Sequence, residues 1–537
     1  MEDMKFSRSY IQTLAFIALY FFAIYFWTQP LQARKVPYGE YDAMSHFEVA
    51  DYAAYNDKSF MRPPPYIDLR YGEDNKFKPH TLWYPPTFHA SLAVAEVFGN
   101  DRVVPAFFMN AIMASFVMIT VYFVMNSLFG FLPAILSALL LIFSPRDFMP
   151  YLWGQWPERF AYAFIPIILY CFYRYFTSYS REGSKPLYLC LTALFLGINI
   201  LIHPLVFFHS VAGLFILYIL LAIKQKKLAF SWKHASISAI IFLMLFLSFP
   251  YQTFNIFSQF SRGPDESGRA FDLSRIFQWS LDPKDYAGSV PPSYFSFREM
   301  HGLWTLPFLL LGILFLALRR EERDLFLLAW LVSLYLVLHR DLAGKASFLH
   351  RSLSASAHIF APLTAIGAVY LASSIRIPKI ANYLKYAIAA LFVFLAFSVN
   401  MAYASKILNK NTYSDFFSTL NNQEYEAAQW SLGNIPSSAN ITVLGIPHQE
   451  QFQSATSKKI RWFAAVSQHV TRFYYLREDR EEILKSGDWY IVLDYTMLGP
   501  LNDRKSFDEM QEFEKRISST HALAYDKNSI RVYKLAE

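Results

Sequence analysis

The sequence predicts a polytopic α-helical membrane protein with a small α/β domain at its C-terminal end. Three observations predict it. Hydrophobic residues make up 54% of the 537 positions and charged residues only 17%, too few charges for a water-soluble chain of this length. The apolar residues gather into runs long enough to cross a bilayer, separated by short basic loops. After Ala404 the pattern changes to alternating helix-like and strand-like segments.

The first apolar run, Tyr10–Thr28, has no small-residue cleavage site after it and reads as a retained helix. The next runs are Val103–Leu128, Phe131–Phe143, Phe160–Phe176, Leu187–Ile202 and Leu205–Ile223. Ala235–Pro250, Leu303–Leu318, Leu325–Leu338, His358–Ser373 and Tyr383–Ala404 complete a set of about eleven spans. Leu82–Phe98 contains Pro85, Pro86, His89 and Glu96, and fits either a span or an interfacial helix.

Charge decides between them. With Leu82–Phe98 on the surface, Arg174–Lys185, Lys224–Lys227, Arg319–Arg323 and Arg376–Lys379 share the side of the N-terminus, which the positive-inside bias makes cytoplasmic. The expected layout is a membrane domain over residues 1–405 and an extracytoplasmic α/β domain over 406–537. Residues 29–99 form a long first external loop containing the interfacial helix. The net charge of +7 lies mostly in these short loops, which fits topology control and excludes a nucleic-acid surface. Cys171 and Cys190 fall in apolar segments, so neither a disulfide framework nor a cysteine metal site is expected.

Three groups of residues carry candidate chemistry, all on the outer side. The first loop opens on Glu40, Asp42 and His46, followed by Glu48 and Asp51. Glu40 and Asp42 share a face if extended, and Asp42 and His46 meet if helical. The bland alternative is a solvated acidic loop. The second loop, Ser144–Arg159, leaves Trp153, Trp156, Glu158 and Arg159 at a membrane boundary. There the bland alternatives are an aromatic belt and an acid favoured by the helix dipole. The third group is basic: Arg262, Arg269, Arg275, Arg298 and His301 in one loop, then Arg340, Lys345, His350 and Arg351 in another. Arginine forks suit phosphate oxygens, although nearby acids offer ordinary ion pairs. His203, before Pro204, reads as a helix-end residue able to line the same site.

With these segments in place, the layout resembles the GT-C superfamily of membrane glycosyltransferases, on the branch of the oligosaccharyltransferase catalytic subunit. The segment Gly39-Glu-Tyr-Asp42 with His46 is similar to that family's first-loop acidic motif, and Tyr84-Pro-Pro86 to its proline pair. Ser144–Arg159, with Pro145 and Gly154, is similar to its second external loop. The resemblance implies a polyprenyl-phosphate-linked sugar donor and a glycan, lipid or protein acceptor. It implies Asp42, helped by Glu40 or His46, as catalytic base, and a divalent cation (Mg²⁺ or Mn²⁺) on Asp42 and Glu158. Glu158, Arg159, His203, Arg298, Arg340 and Arg351 would contact substrate.

Two departures narrow this expectation. Pro157 stands where an aspartate is expected, and the C-terminal domain lacks a Trp-Trp-Asp motif, Asp488-Trp-Tyr490 being no equivalent. The first disfavours a metal site built from both loops; the second disfavours transfer of whole oligosaccharides to asparagine, so inverting transfer of a monosaccharide is expected, with Asp42 as base. The rivals are a transporter or flippase, and a non-catalytic relative of the fold. Transport is disfavoured because the spans show no repeat and almost no interior charge.

Overall fold

The computed structural model describes residues 8–33, 43–55, 85, 87–99, 103–152, 154–181, 185–250, 253–254, 298–339, 354–373, 378–410, 420–444, 450–469, 471–474, 489–497 and 504–535. Glu40, Asp42, Arg340 and Arg351 lie outside them.

The apolar runs read from the sequence are all helical over most of their length. The chain begins with α1 (Arg8–Trp27) and the short α2 (Gln29–Ala33). The first loop contributes α3 (Ala43–Tyr55) and α4 (Thr87–Gly99). With 13 residues, α4 is too short to cross a bilayer, and its His89 and Glu96 are buried against protein. Then come α5 (Val104–Phe129), α6 (Phe131–Ile142), α7 (Pro145–Leu152), α8 (Trp156–Tyr162) and α9 (Phe164–Arg181). The body continues with α10 (Pro186–Ile202), α11 (Pro204–Gln225), α12 (Trp232–Phe246), α13 (Leu306–Arg319) and α14 (Glu322–Leu338). It closes with α15 (Ser354–Ser373) and α16 (Pro378–Leu395), which runs through a π-helical stretch, Ala396–Met401, into α17 (Ala402–Lys410).

Among the described residues, six helices are long and apolar enough to span a membrane, or seven if the bent pair α6–α7 counts as one. Others, including α10 and α12, are apolar but shorter. The most enclosed is α15, with 89% of its apolar window buried. It can sit centrally because its backbone meets α13 directly: a side chain at Gly367 would overlap the Phe308 carbonyl, and one at Gly312 the Leu363 carbonyl. Small residues at such crossings allow the close backbone approach on which helix packing in lipid relies.

Beyond the last span, α18 (Asn422–Asn434) begins with a capping box in which Asn421 and Glu424 exchange hydrogen bonds. Five strands follow: β1 (Ile441–Leu444), β2 (Thr471–Tyr474), β3 (Tyr490–Asp494), β4 (Ala522–Lys527) and β5 (Ile530–Lys534). The helices α19 (Glu450–Ser467) and α20 (Arg504–Ser518) connect them. The sheet order is β2-β1-β3-β5-β4, with β1 parallel to both β2 and β3, and β5 antiparallel to β3 and β4. The fully buried pattern of β1 and β3 is what a parallel sheet covered by helices requires.

At the carboxyl end of β3 three ionisable side chains, Glu424, Lys459 and Asp494, are buried together. Lys459 Nζ lies 2.6 Å from Glu424 Oε1, and Thr496 Oγ1 lies 2.5 Å from Asp494 Oδ1. The Thr496 amide also donates to Asp494 Oδ1 at 3.0 Å. Burial, and then the Glu424 charge beside it, push the Asp494 carboxyl well above its usual range. The nearby Lys459 ammonium works against this rise but does not cancel it, so the native state favours a proton on Asp494 more than the unfolded chain does.

A proton held by the native state but released on unfolding makes stability fall as pH rises from the unfolded value, about 4, to the raised native one. Asp494→Asn keeps an acceptor for Thr496 and supplies a permanent donor toward Glu424. Thermal unfolding of the full chain in detergent between pH 4 and 8 is expected to show this fall in the parent protein. The Asn variant should lose that part of the slope and be at least as stable at neutral pH. An equal slope in the variant, or marked destabilisation at neutral pH, would place an ionised Asp494 beside Lys459 instead.

Candidate active site at the junction of the first and second loops

The second loop is a helix broken in two. The turn between α7 and α8 passes through Gly154 at φ +84°, a conformation glycine adopts without strain. Gln155 N donates to Pro150 O at 2.9 Å, and Trp156 Nε1 donates to Tyr151 O at 2.8 Å, closing the turn. The opposite side of Gly154 abuts the first loop. A Cβ there would fall 2.0 Å from the amide nitrogen of Ala43, the residue that follows Asp42 in sequence.

A buried ion pair holds α7 to α8. Asp147 and Arg159 are 0% and 1% exposed, and the guanidinium bonds the Asp147 carboxylate through Nη2. Its Nε donates to Asp147 O at 2.9 Å, and its Nη1 donates to Ala114 O. Its face lies over Trp27, 4.3 Å from the ring centroid. The second carboxylate oxygen of Asp147 meets His358 Nε2 at 2.5 Å, bringing in α15. Tyr151 Oη donates to Trp27 O at 3.2 Å, which ties the loop to the end of α1.

Glu158 precedes Arg159 and is buried in its own setting. Tyr162 Oη donates to Glu158 Oε1 at 3.1 Å, and His203 Nε2 stands 4.0 Å from Oε2. His203 occupies the extended residue between α10 and α11, where Pro204 starts the next helix. The start of α4 is fastened nearby by Thr87 Oγ1, which donates to Leu201 O at 2.6 Å. His89, on the same helix, shares a 2.9 Å hydrogen bond with His46 Nδ1.

The His46 ring lies 6.4 Å from Trp156, so His46 borders the turn that leads to Glu158, and His89 stands behind it. The C-terminal unit closes this cluster. Trp462 of α19 is buried with its ring 4.9 Å from Phe47 and 5.9 Å from Phe107, and Phe107 is 5.2 Å from Trp156.

Of the residues singled out by sequence, the structure brings Glu158 and His203 together, and sets His46 beside Trp156 at the start of the helix that carries Glu158. Arg159 departs from the expected substrate contact: its donors are turned into the protein toward Asp147 and Ala114. Arg298 opens the one-turn helix Arg298–His301. Sequence reasoning missed Asp147, Tyr162, His89 and His358. Among the described residues, no three His, Cys, Asp or Glu side chains gather at metal-binding range.

A profile of a family of unknown function, DUF6541, matches residues 7–430. The chain belongs to that family. No curated protein matches in sequence. Solved structures match in fold: ArnT from Cupriavidus metallidurans in its apo state is 10% identical, with 99% of each chain covered and a TM-score of 0.57. The same ArnT bound to undecaprenyl phosphate gives 11% identity, 98% of each chain and 0.53. The Archaeoglobus fulgidus oligosaccharyltransferase AglB, in complex with an inhibitory peptide and a dolichol-phosphate, gives 12% identity, 98% of this chain, 75% of its own, and 0.53. These likenesses show a fold shared with ArnT and AglB, and the chain's own apolar helices of membrane length mark an integral, multi-pass membrane protein.

Removing one partner of a buried ion pair leaves the other charge uncompensated, at a cost of about 3–5 kcal/mol. Asp147→Asn is therefore expected to lower the unfolding temperature of the detergent-solubilised protein sharply. Asp147→Asn with Arg159→Met should cost less than the single change, because no charge is then stranded. Additive losses would show that the two side chains are not coupled.

Proposed function

We propose that the protein is an inverting glycosyltransferase. It moves a monosaccharide from a polyprenyl-phosphate donor to a glycan, lipid or protein acceptor on the extracytoplasmic side of the cytoplasmic membrane. The observation that carries this reading is the backbone contact of Gly154 with Ala43. It sets the residue after Asp42 against the turn that leads into Glu158. In ArnT and AglB the same fold accompanies a bound lipid phosphate.

In this reading Asp42 takes the proton of an acceptor hydroxyl, and the oxygen attacks the anomeric carbon from the face opposite the leaving group. The bond from carbon to phosphate oxygen breaks, and the electron pair leaves with the lipid phosphate. Arg298, Arg340 and Arg351 meet that charge. Arg159 supports the second loop rather than touching phosphate. Glu158 and His203 form the polar wall for the sugar, and Glu40 or the His46–His89 pair orients Asp42.

A divalent cation, Mg²⁺ or Mn²⁺, takes oxygen ligands, and the buried carboxylate of Glu158 at the loop junction is of that kind. Asp42 and Glu158 would hold it, and it would supply charge neutralisation at the leaving phosphate. The α/β domain, 406–537, lies on the same outer side in this topology and clamps the first loop through Trp462.

Membranes containing the protein are expected to incorporate labelled sugar from a polyprenyl-phosphate donor. Loss of the base in Asp42→Asn should lower the rate about 10²–10⁴-fold without loss of folded protein. A folded Asp42→Asn protein with full activity would remove Asp42 from the mechanism. Absence of any transfer, with lipid movement across the bilayer instead, would favour the flippase reading.

A further inference from the structure

The one-turn helix Arg298–His301 cannot hold itself in place. A single turn gains little from its own hydrogen bonds, and the last carbonyls of any helix lack intrahelical partners. Here other elements supply them. Ser144 Oγ, at the start of the second loop, donates to Met300 O. Asn400 Nδ2, on the last span, donates to His301 O at 2.8 Å. Thr305, just before α13, donates to Gly302 O from its amide at 3.1 Å and from Oγ1 at 2.7 Å. The His301 ring is tied as well, its Nε2 donating to Ala357 O of α15 at 2.9 Å.

Asn400 is the tether with the most unusual setting. It lies in the π-helical stretch Ala396–Met401, inside the membrane-length helix Tyr383–Leu408, and is 5% exposed. Short π-helical stretches are rare and gather at functional sites. An amide buried in a span is costly unless both of its ends are bonded. Asn400 Oδ1 accepts from Trp304 Nε1 at 3.0 Å, so both ends are engaged by the segment that follows Met300. The fit is close: a Cβ on Gly302, which stands at φ +85°, would fall 3.0 Å from the same Oδ1.

We propose, resting on the phosphate role proposed for Arg298, that Asn400 is a positioning residue for the donor lipid phosphate. Through His301 O and Trp304 it fixes the turn that carries Arg298, and it touches neither sugar nor phosphate itself. An arginine on a loosened turn keeps its charge but loses the fixed fork geometry that phosphate oxygens match. Donor affinity then suffers, while the proton transfer at Asp42 does not.

Donor kinetics in a double-mutant cycle test this role. Asn400→Leu removes both side-chain bonds with little change of volume, and Arg298→Gln removes the cation. Each alone is expected to raise the donor KM about tenfold, the worth of one charge-assisted hydrogen bond, with kcat within about twofold. The double variant should be no worse than Arg298→Gln alone, because Asn400 acts through that side chain. Should Asn400→Leu fail to fold, Asn400→Ser, which adds no bulk, takes its place. The same cycle read on affinity for undecaprenyl phosphate needs no turnover, and so separates this role from the transfer reaction. Multiplied losses in the double variant, with Arg298→Gln effective alone, would overturn the role of Asn400 and leave the proposed function standing. Unchanged donor KM and lipid-phosphate affinity in Arg298→Gln would remove Arg298 from the phosphate site, and the role of Asn400 with it.

Discussion

The buried pairing of Arg159 with Asp147 is the constraint from which the rest of the site follows. A guanidinium and a carboxylate removed from water are tolerated only when each satisfies the other and the remaining donors find acceptors. Here Ala114 O, Asp147 O and His358 complete the set, and the Trp27 ring covers the cation. Those partners come from α1, α5, α7, α8 and α15, so the pair fixes the second loop to the helical body at several points. A loop held in this way can present a glycine turn to another backbone. That turn is where Gly154 meets Ala43.

The two adjacent residues Glu158 and Arg159 thus have different work. Arg159 faces inward and anchors; Glu158 faces Tyr162 and His203 at the loop junction. His46 of the first loop reaches the same turn through Trp156, and Trp462 brings the C-terminal sheet domain against the neighbouring Phe47. Parts from three regions of the chain therefore converge on one turn.

The helical body was legible because length and apolarity alone identify a segment that crosses lipid, and every run read that way is helical. The strands β2 and β4 were not legible. Thr471-Arg-Phe-Tyr474 is short and mixed, and β4 is a largely exposed edge strand whose sequence lacks an apolar alternation. At the site, sequence could mark Glu158 and His203 as polar residues at helix ends. It could not show that Arg159 would spend its charge on Asp147, because that depends on a fold-back of α8 on α7. His358 was hidden inside an apolar run, where a lone histidine gives no sign of its partner. Nothing in spacing links His46 to His89, which lie on separate helices of one loop.

The central claim is that the first loop's acid and the second loop's acid border one site. It can be measured directly by cysteine cross-linking. In a chain with Cys171 and Cys190 replaced by serine, Asp42→Cys and Glu158→Cys would be treated with a short bifunctional thiol reagent and mapped by proteolysis. An intramolecular link between the two loops is expected, formed at far higher yield than between Asp42→Cys and a cysteine at Lys406. Single labelling at both positions with no link between them would contradict it.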